Sequence, residues 1–345
     1  MTEYGFLEPP EFVPKFGAGN DTLKDEGIFG RLFYRGLRDP DKAMGYDDAV
    51  VRSAITWLKC PPNDKPWVLF MPLLFPHCPF QVEEPYFSMY DRSKMAELSL
   101  NIDLKTGYEP RYMKTIRERY GIGRATPEIW AEIKATYYGI ISRLDDQFGR
   151  LVKAIEDHRY GDNTVTIFFT DYGEYLGNHG LIEKWLSGLS DSLVYEPLII
   201  VPVLVNGATS HKKFACSEGG VLTSEEPLLE QAPYSYDIKA GLQHEDTTLV
   251  GKAISIRNEE WTYIYRLYEP SELYHRQNDP QELHNLAADP EDTAISNMLE
   301  GEKFGWLMEG SDILPWAKDN RFPEVTLKSH REQMEERLKK AGGAE

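Results

Sequence analysis

The sequence predicts an α/β fold, a largely parallel sheet flanked by helices and followed by a small antiparallel sheet. Three observations predict it. Apolar runs at 67–75 (WVLFMPLLF), 164–170 (TVTIFFT) and 197–207 (PLIIVPVLVNG) are hydrophobic on both faces, as strands covered from both sides are. Between the first two, residues 126–161 repeat apolar side chains every three and four positions, the spacing of one helix face. After about residue 225 the runs become short and alternating, the pattern of hairpin strands.

Residues 1–46 are rich in proline, glycine and charge and read as an irregular lead-in. An α/β core is expected over 47–225 and a smaller subdomain over 226–345. Within the core, 47–60 (DDAVVRSAITWLKC) sets Val50, Val51, Ala54, Ile55 and Leu58 on one helical face, and PPNDKP ends that helix. WVLFMPLLF reads as a buried strand leading into PHCPF. Thr126 is the N-cap of the long helix, Pro127 fits its first turn, and Gly161 stops it. TVTIFFT suits a central strand with helices on both sides, and Pro202 implies an edge or a bulge in the third strand. In 251–267 two alternating strands flank a turn, with Trp261, Tyr263 and Tyr265 on one face as packing residues. The tail, 327–345, reads as a charged helix.

The 345 residues are 41% hydrophobic and 12% aromatic, enough for a substantial core. A formal charge of −18 argues against general affinity for nucleic acid or anionic membranes while leaving room for a local cationic pocket. No run of about 18 apolar residues occurs, and a polar, proline-containing stretch follows Met1. Neither a membrane span nor a signal peptide is therefore expected, and the expected location is cytoplasmic. Three cysteines (Cys60, Cys78, Cys216) without CxxC spacing indicate neither a disulfide framework nor a thiolate zinc site.

The chemistry concentrates where the apolar runs end. In open α/β sheets, ligands bind beyond the carboxyl ends of the strands. Asp171 and His77 both lie just past such ends. Asp171 can bind a hard cation or cap its own loop. His77, stiffened by Pro76 and Pro79, can transfer a proton or serve a structural end. Lys184 follows the glycine-rich GEYLGNHGLIEK, which can return a cation toward Asp171. The three together suit an anion.

The ordered segments KPWVLFMPLLFPHCPF, YFSMYD, YYGIISRLDDQFGRLVKAIEDHRYGDNTVTIFFTDYGEYLGNHGLIEKW, EPLIIVPVL and ELYHRQNDPQELHNLAADP resemble the sulfatase family of the alkaline phosphatase superfamily over residues 47–292. The resemblance implies an alkaline phosphatase/sulfatase-like α/β fold. It also implies that His77 is the leaving-group and sulfate-binding histidine, Lys184 the sulfate-binding lysine, and Asp171 a metal ligand. His179 falls where many members carry a histidine near the substrate, and Tyr172 occupies the neighbouring metal-ligand position.

The departures are equally definite. The resemblance implies an upstream strand ending in two metal-binding aspartates and a C-x-P-S-R motif whose cysteine becomes formylglycine, and this sequence contains neither. Tyr172 stands where the family has Asn or His, and a protonated phenol is a poor ligand for calcium or magnesium, so any such ion is expected to be weakly held or absent. The expectation is a sulfatase fold incomplete on its N-terminal side and binding an anionic small molecule. Three readings stay open: ester hydrolysis, a metal-free reaction in which His77, Lys184 and Tyr172 act on an acidic molecule, and ligand binding without turnover. An incomplete sheet would expose an edge that a second copy or another chain must cover.

Overall fold

The computed structural model describes residues 27–39, 45–61, 66–95, 105–201, 213–229, 231–232 and 234–310. The chain divides into two units, Met1–Lys303 and Phe304–Glu345, and all the described sheets lie in the first. A short helix α1 (Gly27–Arg31) precedes β1 (Tyr34–Leu37), followed by α2 (Tyr46–Trp57) and β2 (Phe80–Val82). β1 and β2 pair in parallel. Leu32 and Phe33, between α1 and β1, are buried in the main core with Phe80, so part of the expected lead-in is structural core. The predicted face of α2 buries Val50, Val51 and Ala54.

After α3 (Arg92–Met95) and α4 (Arg111–Tyr120) comes α5 (Pro127–Asp157), the helix that its periodicity predicts. Thr126 stands at the N-cap with extended backbone, and Pro127 opens the first turn, where its missing N–H costs nothing. Ile133, Ile140, Leu144 and Ile155 are buried along one stripe. Gly139 is needed for close approach, since a Cβ there would lie 2.5 Å from the Tyr86 carbonyl oxygen. Phe80 packs edge-on against Tyr137 of α5, and Phe168 lies tilted against Phe148 of the same helix.

β3 (Thr166–Phe169), α6 (Asp191–Val194) and β4 (Leu198–Val201) follow. Here the structure refines the expected sheet. β3 and β4 pair antiparallel, Thr166 with Val201 through Phe169 with Leu198, so the parallel pairing among the described strands is that of β1 with β2. TVTIFFT is also not covered on both sides. Phe168 faces α5, whereas Ile167 and Phe169 are 52% and 56% exposed. WVLFMPLLF departs further: its residues take no regular secondary structure and join no ladder among the described strands, and Val68 and Phe70 are 93% and 68% exposed. Trp67 and Leu69 turn the other way, onto a cluster with Leu58, Leu151 and Ile155. Apolar composition marks these segments as strands made to be covered, but it cannot supply the covering partner.

β5 (Ala215–Gly219), α7 (Asp237–Glu245), β6 (Ala253–Arg257), β7 (Trp261–Arg266), β8 (Glu272–His275) and α8 (Thr293–Gly310) complete the described elements. β5 to β8 form a four-stranded antiparallel sheet in chain order, and it contains the predicted β6–β7 hairpin. Trp261 and Tyr263 pack with Ile256, Leu273 and Leu299, with Tyr265 against them, which makes the aromatic face a packing surface. Three arginines from this sheet and its flank reach the segment after Lys184. Arg266 bonds the Ser187 carbonyl at 2.7 Å, Arg257 the Leu189 carbonyl at 3.0 Å, and Arg276 the Asp191 carboxylate at 3.1 Å. Asp279, the first residue of DPQELHNLAADP, caps the 279–284 turn by accepting from the Leu283 and His284 amides. No described helix is long and apolar enough to cross a membrane. Pro202 and the 327–345 tail lie outside the described residues.

Candidate functional site

The loop after β3 is built to turn sharply and return. Leu176, His179 and Glu183 adopt left-handed backbone angles, as do Gly177 and Gly180. Gly173 admits no side chain, because a Cβ would sit 2.2 Å from the Ser192 carbonyl oxygen. The Glu174 carboxylate is the loop's internal tie, accepting from the amides of Leu176 and Glu183. Burial, then the neighbouring Glu183 charge, lifts its pKa to about 7. Trp185 anchors the far end by donating its indole N–H to the Leu249 carbonyl at 2.8 Å.

His77 approaches from a second loop. Buried Asp47, at the start of α2, accepts from the amides of Leu74 and Phe75 at 2.8 and 3.0 Å and fixes the turn ahead of it. His77 Nδ1 lies 2.6 Å from the Cys78 carbonyl oxygen. A carbonyl only accepts, so Nδ1 carries the proton and neutral His77 presents a lone pair at Nε2. Burial, then the Lys184 charge, holds the imidazole below its ordinary pKa, while Glu183 and Asp171 act in the opposite sense. His77 thus feels the charges of both Lys184 and Asp171.

Lys184 is held from two sides. Its ammonium lies 2.8 Å from Glu183 Oε1 and 4.2 Å from the centre of the Tyr172 ring. Glu183 raises its pKa, against the effect of burial, so the ammonium stays charged. Asp171 and Tyr172 are exposed at the loop's start. His179 goes elsewhere: it is buried edge-on against Tyr175, and burial followed by the Lys105 and Arg117 charges brings its pKa down to about 3. The structure therefore does not gather His179 with His77 and Lys184, and a histidine held neutral in the core is unsuited to the catalytic place the resemblance gives it.

Four participants escape the sequence reading. Glu183 sits beside Lys184, and its signal was a carboxylate next to a candidate cation. Cys78 and Tyr236 share a contact, Sγ to OH, of 2.9 Å, and Cys78, Glu183 and His77 bring potential ligand atoms within 4.8 Å of one another. Burial, then Glu183 and Glu174, pushes the Cys78 thiol up, so it is protonated and no nucleophile. Lys239, on α7, reaches Glu183 from 56 residues downstream, a distance at which no local motif signals it.

The donor set bears on the divalent metal, such as calcium, typical of sulfatases. Asp171 supplies one carboxylate, and the Tyr172 phenol is engaged with Lys184. A further carboxylate that feels Asp171, Glu196, takes the Thr170 hydroxyl and lies against Gly173. Calcium takes six to eight oxygens, so the described residues do not fit it as a cage.

With fold and site in place, the comparisons agree on the class: an α/β protein of the sulfatase and alkaline phosphatase superfamily kind. The sulfatase family model matches residues 10–218, well over half the chain, and the chain belongs to the sulfatase family. It is 24% identical over 310 residues to the multifunctional alkaline phosphatase superfamily protein PehA of Trinickia caryophylli, covering 75% of this chain and 59% of that protein. It is 22% identical over 317 residues to the choline-sulfatase of Rhizobium meliloti, covering 82% and 60%. Among solved structures, the phosphonate monoester hydrolase of Agrobacterium radiobacter aligns with a TM-score of 0.55 at 21% identity, over 76% of this chain and 60% of that one. The chain spans about three-fifths of the length of these curated relatives.

Proposed function

We propose that the loops carrying His77, Asp171 and Lys184 form a binding site for the oxyanion of a sulfate, phosphate or phosphonate ester. Lys184 carries this reading: a permanently charged ammonium is set beside a neutral imidazole at the mouth of the β3 loop. The names of the relatives, a choline-sulfatase and a phosphonate monoester hydrolase, point to the same chemical class.

In this reading Lys184 draws the non-bridging oxygens and stabilises the charge that grows on them. His77 acts first as an acceptor, because its proton is committed to the Cys78 carbonyl. For hydrolysis, water forms the new bond to sulfur or phosphorus, its proton passes to Nε2, and the imidazolium returns a proton to the leaving oxygen as the ester bond breaks. The role of leaving-group donor thus requires prior proton uptake. The Tyr172 phenol beside Lys184 supports the metal-free variant, in which it donates a hydrogen bond where the family places a ligand.

The test titrates inorganic sulfate and phosphate into wild type and Lys184→Ala by calorimetry and assays 4-nitrophenyl sulfate and a phosphonate monoester. Binding by wild type that falls at least about tenfold in Lys184→Ala supports the site. Equal affinities would remove Lys184 from it.

A further inference from the structure

Lys239 lies in the first turn of α7 and is almost wholly buried. Its ammonium meets three acceptors on a single loop: the Ile182 carbonyl at 3.3 Å, the Lys184 carbonyl, and Oε2 of Glu183. The other oxygen of that carboxylate, Oε1, holds the Lys184 ammonium at 2.8 Å. Glu183 itself sits at a φ of 62°, a backbone state that a side chain bearing Cβ adopts at a cost, and Lys239 grips the carbonyls on either side of it. One buried carboxylate therefore serves two ammonium groups.

The charge count of this trio has a consequence. Lys184 and Glu183 alone would form a closed pair with no net charge, and an incoming anion would have to displace a carboxylate from the ammonium. With Lys239 engaging Glu183 from behind, the three groups sum to plus one. In a partly desolvated setting one unit of charge changes anion affinity strongly, because Coulomb energies are far less screened than in water. We propose that Lys239 is the residue that frees Lys184 for anion binding, by neutralising Glu183, so that the positive charge of the site belongs to the trio rather than to Lys184. This rests on the anion-site reading above.

The experiment compares wild type with Lys239→Gln, Glu183→Gln and the double variant, titrating inorganic sulfate by calorimetry at one pH and two ionic strengths. The fixed pH keeps the contributions of the titratable groups around the trio, Glu174, His77, Cys78, Tyr120, Tyr172 and Tyr236, with Asp171 acting on His77, comparable in all four proteins. Their net charges at the trio are plus one, zero, plus two and plus one. Lys239→Gln is expected to bind sulfate at least about tenfold more weakly, with a shallower salt dependence. Glu183→Gln is expected to match or exceed wild type, and the double variant to return to within about threefold of it. A purely structural clasp predicts the opposite order, with the double variant no better than the worse single, and that result overturns the proposal. Should Lys239→Gln fail to fold by circular dichroism, weaker binding by Glu183→Gln than by wild type suffices to overturn it. A wild type whose sulfate binding is insensitive to Lys184→Ala fails the anion site itself, a separate outcome from a Lys184-dependent site that ignores the charge series.

Discussion

The Lys184 ammonium stands 4.2 Å from the centre of the Tyr172 ring, so a cation–π contact occupies the place where the family resemblance calls for a second metal ligand. A carboxylate at position 172 would face the same space beside Asp171. Tyr172→Asp is therefore expected to gain calcium affinity, by about tenfold or more over wild type, as a second hard oxygen donor joins the first. Isothermal titration with calcium checks it. No gain would show that the loop's geometry, rather than the missing carboxylate, keeps the ion out.

Anion binding at this site should draw in a proton. Free His77 is held neutral below its ordinary pKa by burial and by Lys184, and a bound oxyanion would favour the imidazolium. Sulfate affinity is thus expected to rise as pH falls through the interval between the free and bound pKa values, by up to about tenfold per pH unit. Glu174, whose pKa is about 7, adds a weaker fall in affinity as it ionises above neutrality. His77→Gln should flatten the acid part of the profile and Glu174→Gln the neutral part. Sulfate titrations from pH 5 to 8 decide both, and an unchanged profile in His77→Gln would exclude the imidazole.

Much of this was legible in the sequence because the signals were local. The spacing of Ile133, Ile140 and Ile155 specifies a helix face, and alternation around 251–267 specifies a hairpin. His77 and Lys184 were marked by their loops, and the structure brings them within electrostatic reach. His179 misled because it shares the loop with Lys184, while its left-handed backbone turns the ring into the core. Lys239 carried no signal, since a lysine early in a short helix reads as solvated until the tertiary fold delivers a carboxylate to it. Strand hydrophobicity told which side chains need cover, but pairing depends on what lies alongside, and for 67–74 no partner strand is present among the described residues.

Two buried groups set opposite pH limits on stability. Burial, then Asp191, raises Glu282 to about 8 in the folded chain, well above an unfolded carboxyl. The folded state holds that proton more tightly, so stability declines as pH rises from about 5 to 8. His179, at about 3 when folded, has the reverse sign: the unfolded imidazole takes up a proton below about 6.5, and stability declines as pH falls from there. The two windows overlap between about pH 5 and 6.5, where their opposing slopes offset, so denaturant midpoints should form a plateau there and fall on either side. Glu282→Gln should flatten the decline on the alkaline side and His179→Asn the decline on the acid side. A Glu282→Gln protein whose midpoint falls between pH 6 and 8 as steeply as wild type would refute the assignment.

The β3–β4 sheet and the irregular 66–74 segment show an apolar surface to solvent. Ile167 and Phe169 share one face of β3, Leu198, the register partner of Phe169, is 64% exposed on β4, and Val68 and Phe70 project from a segment without a ladder partner among the described residues. Burying one such side chain is worth about 1.5 to 3 kcal/mol, and an unpaired strand edge offers main-chain groups to any second strand. A second copy of the chain presents the same surface, and self-association at micromolar concentration is the expected state of the isolated protein. Because Ile167, Phe169 and Leu198 face water, charging them removes apolar contact without opening a cavity. Ile167→Lys combined with Leu198→Lys is expected to weaken association at least about tenfold while leaving the melting temperature of the dissociated chain nearly unchanged. Sedimentation and light scattering across a concentration series read this directly. A wild type that stays monomeric at micromolar concentration would show that this surface does not drive self-association.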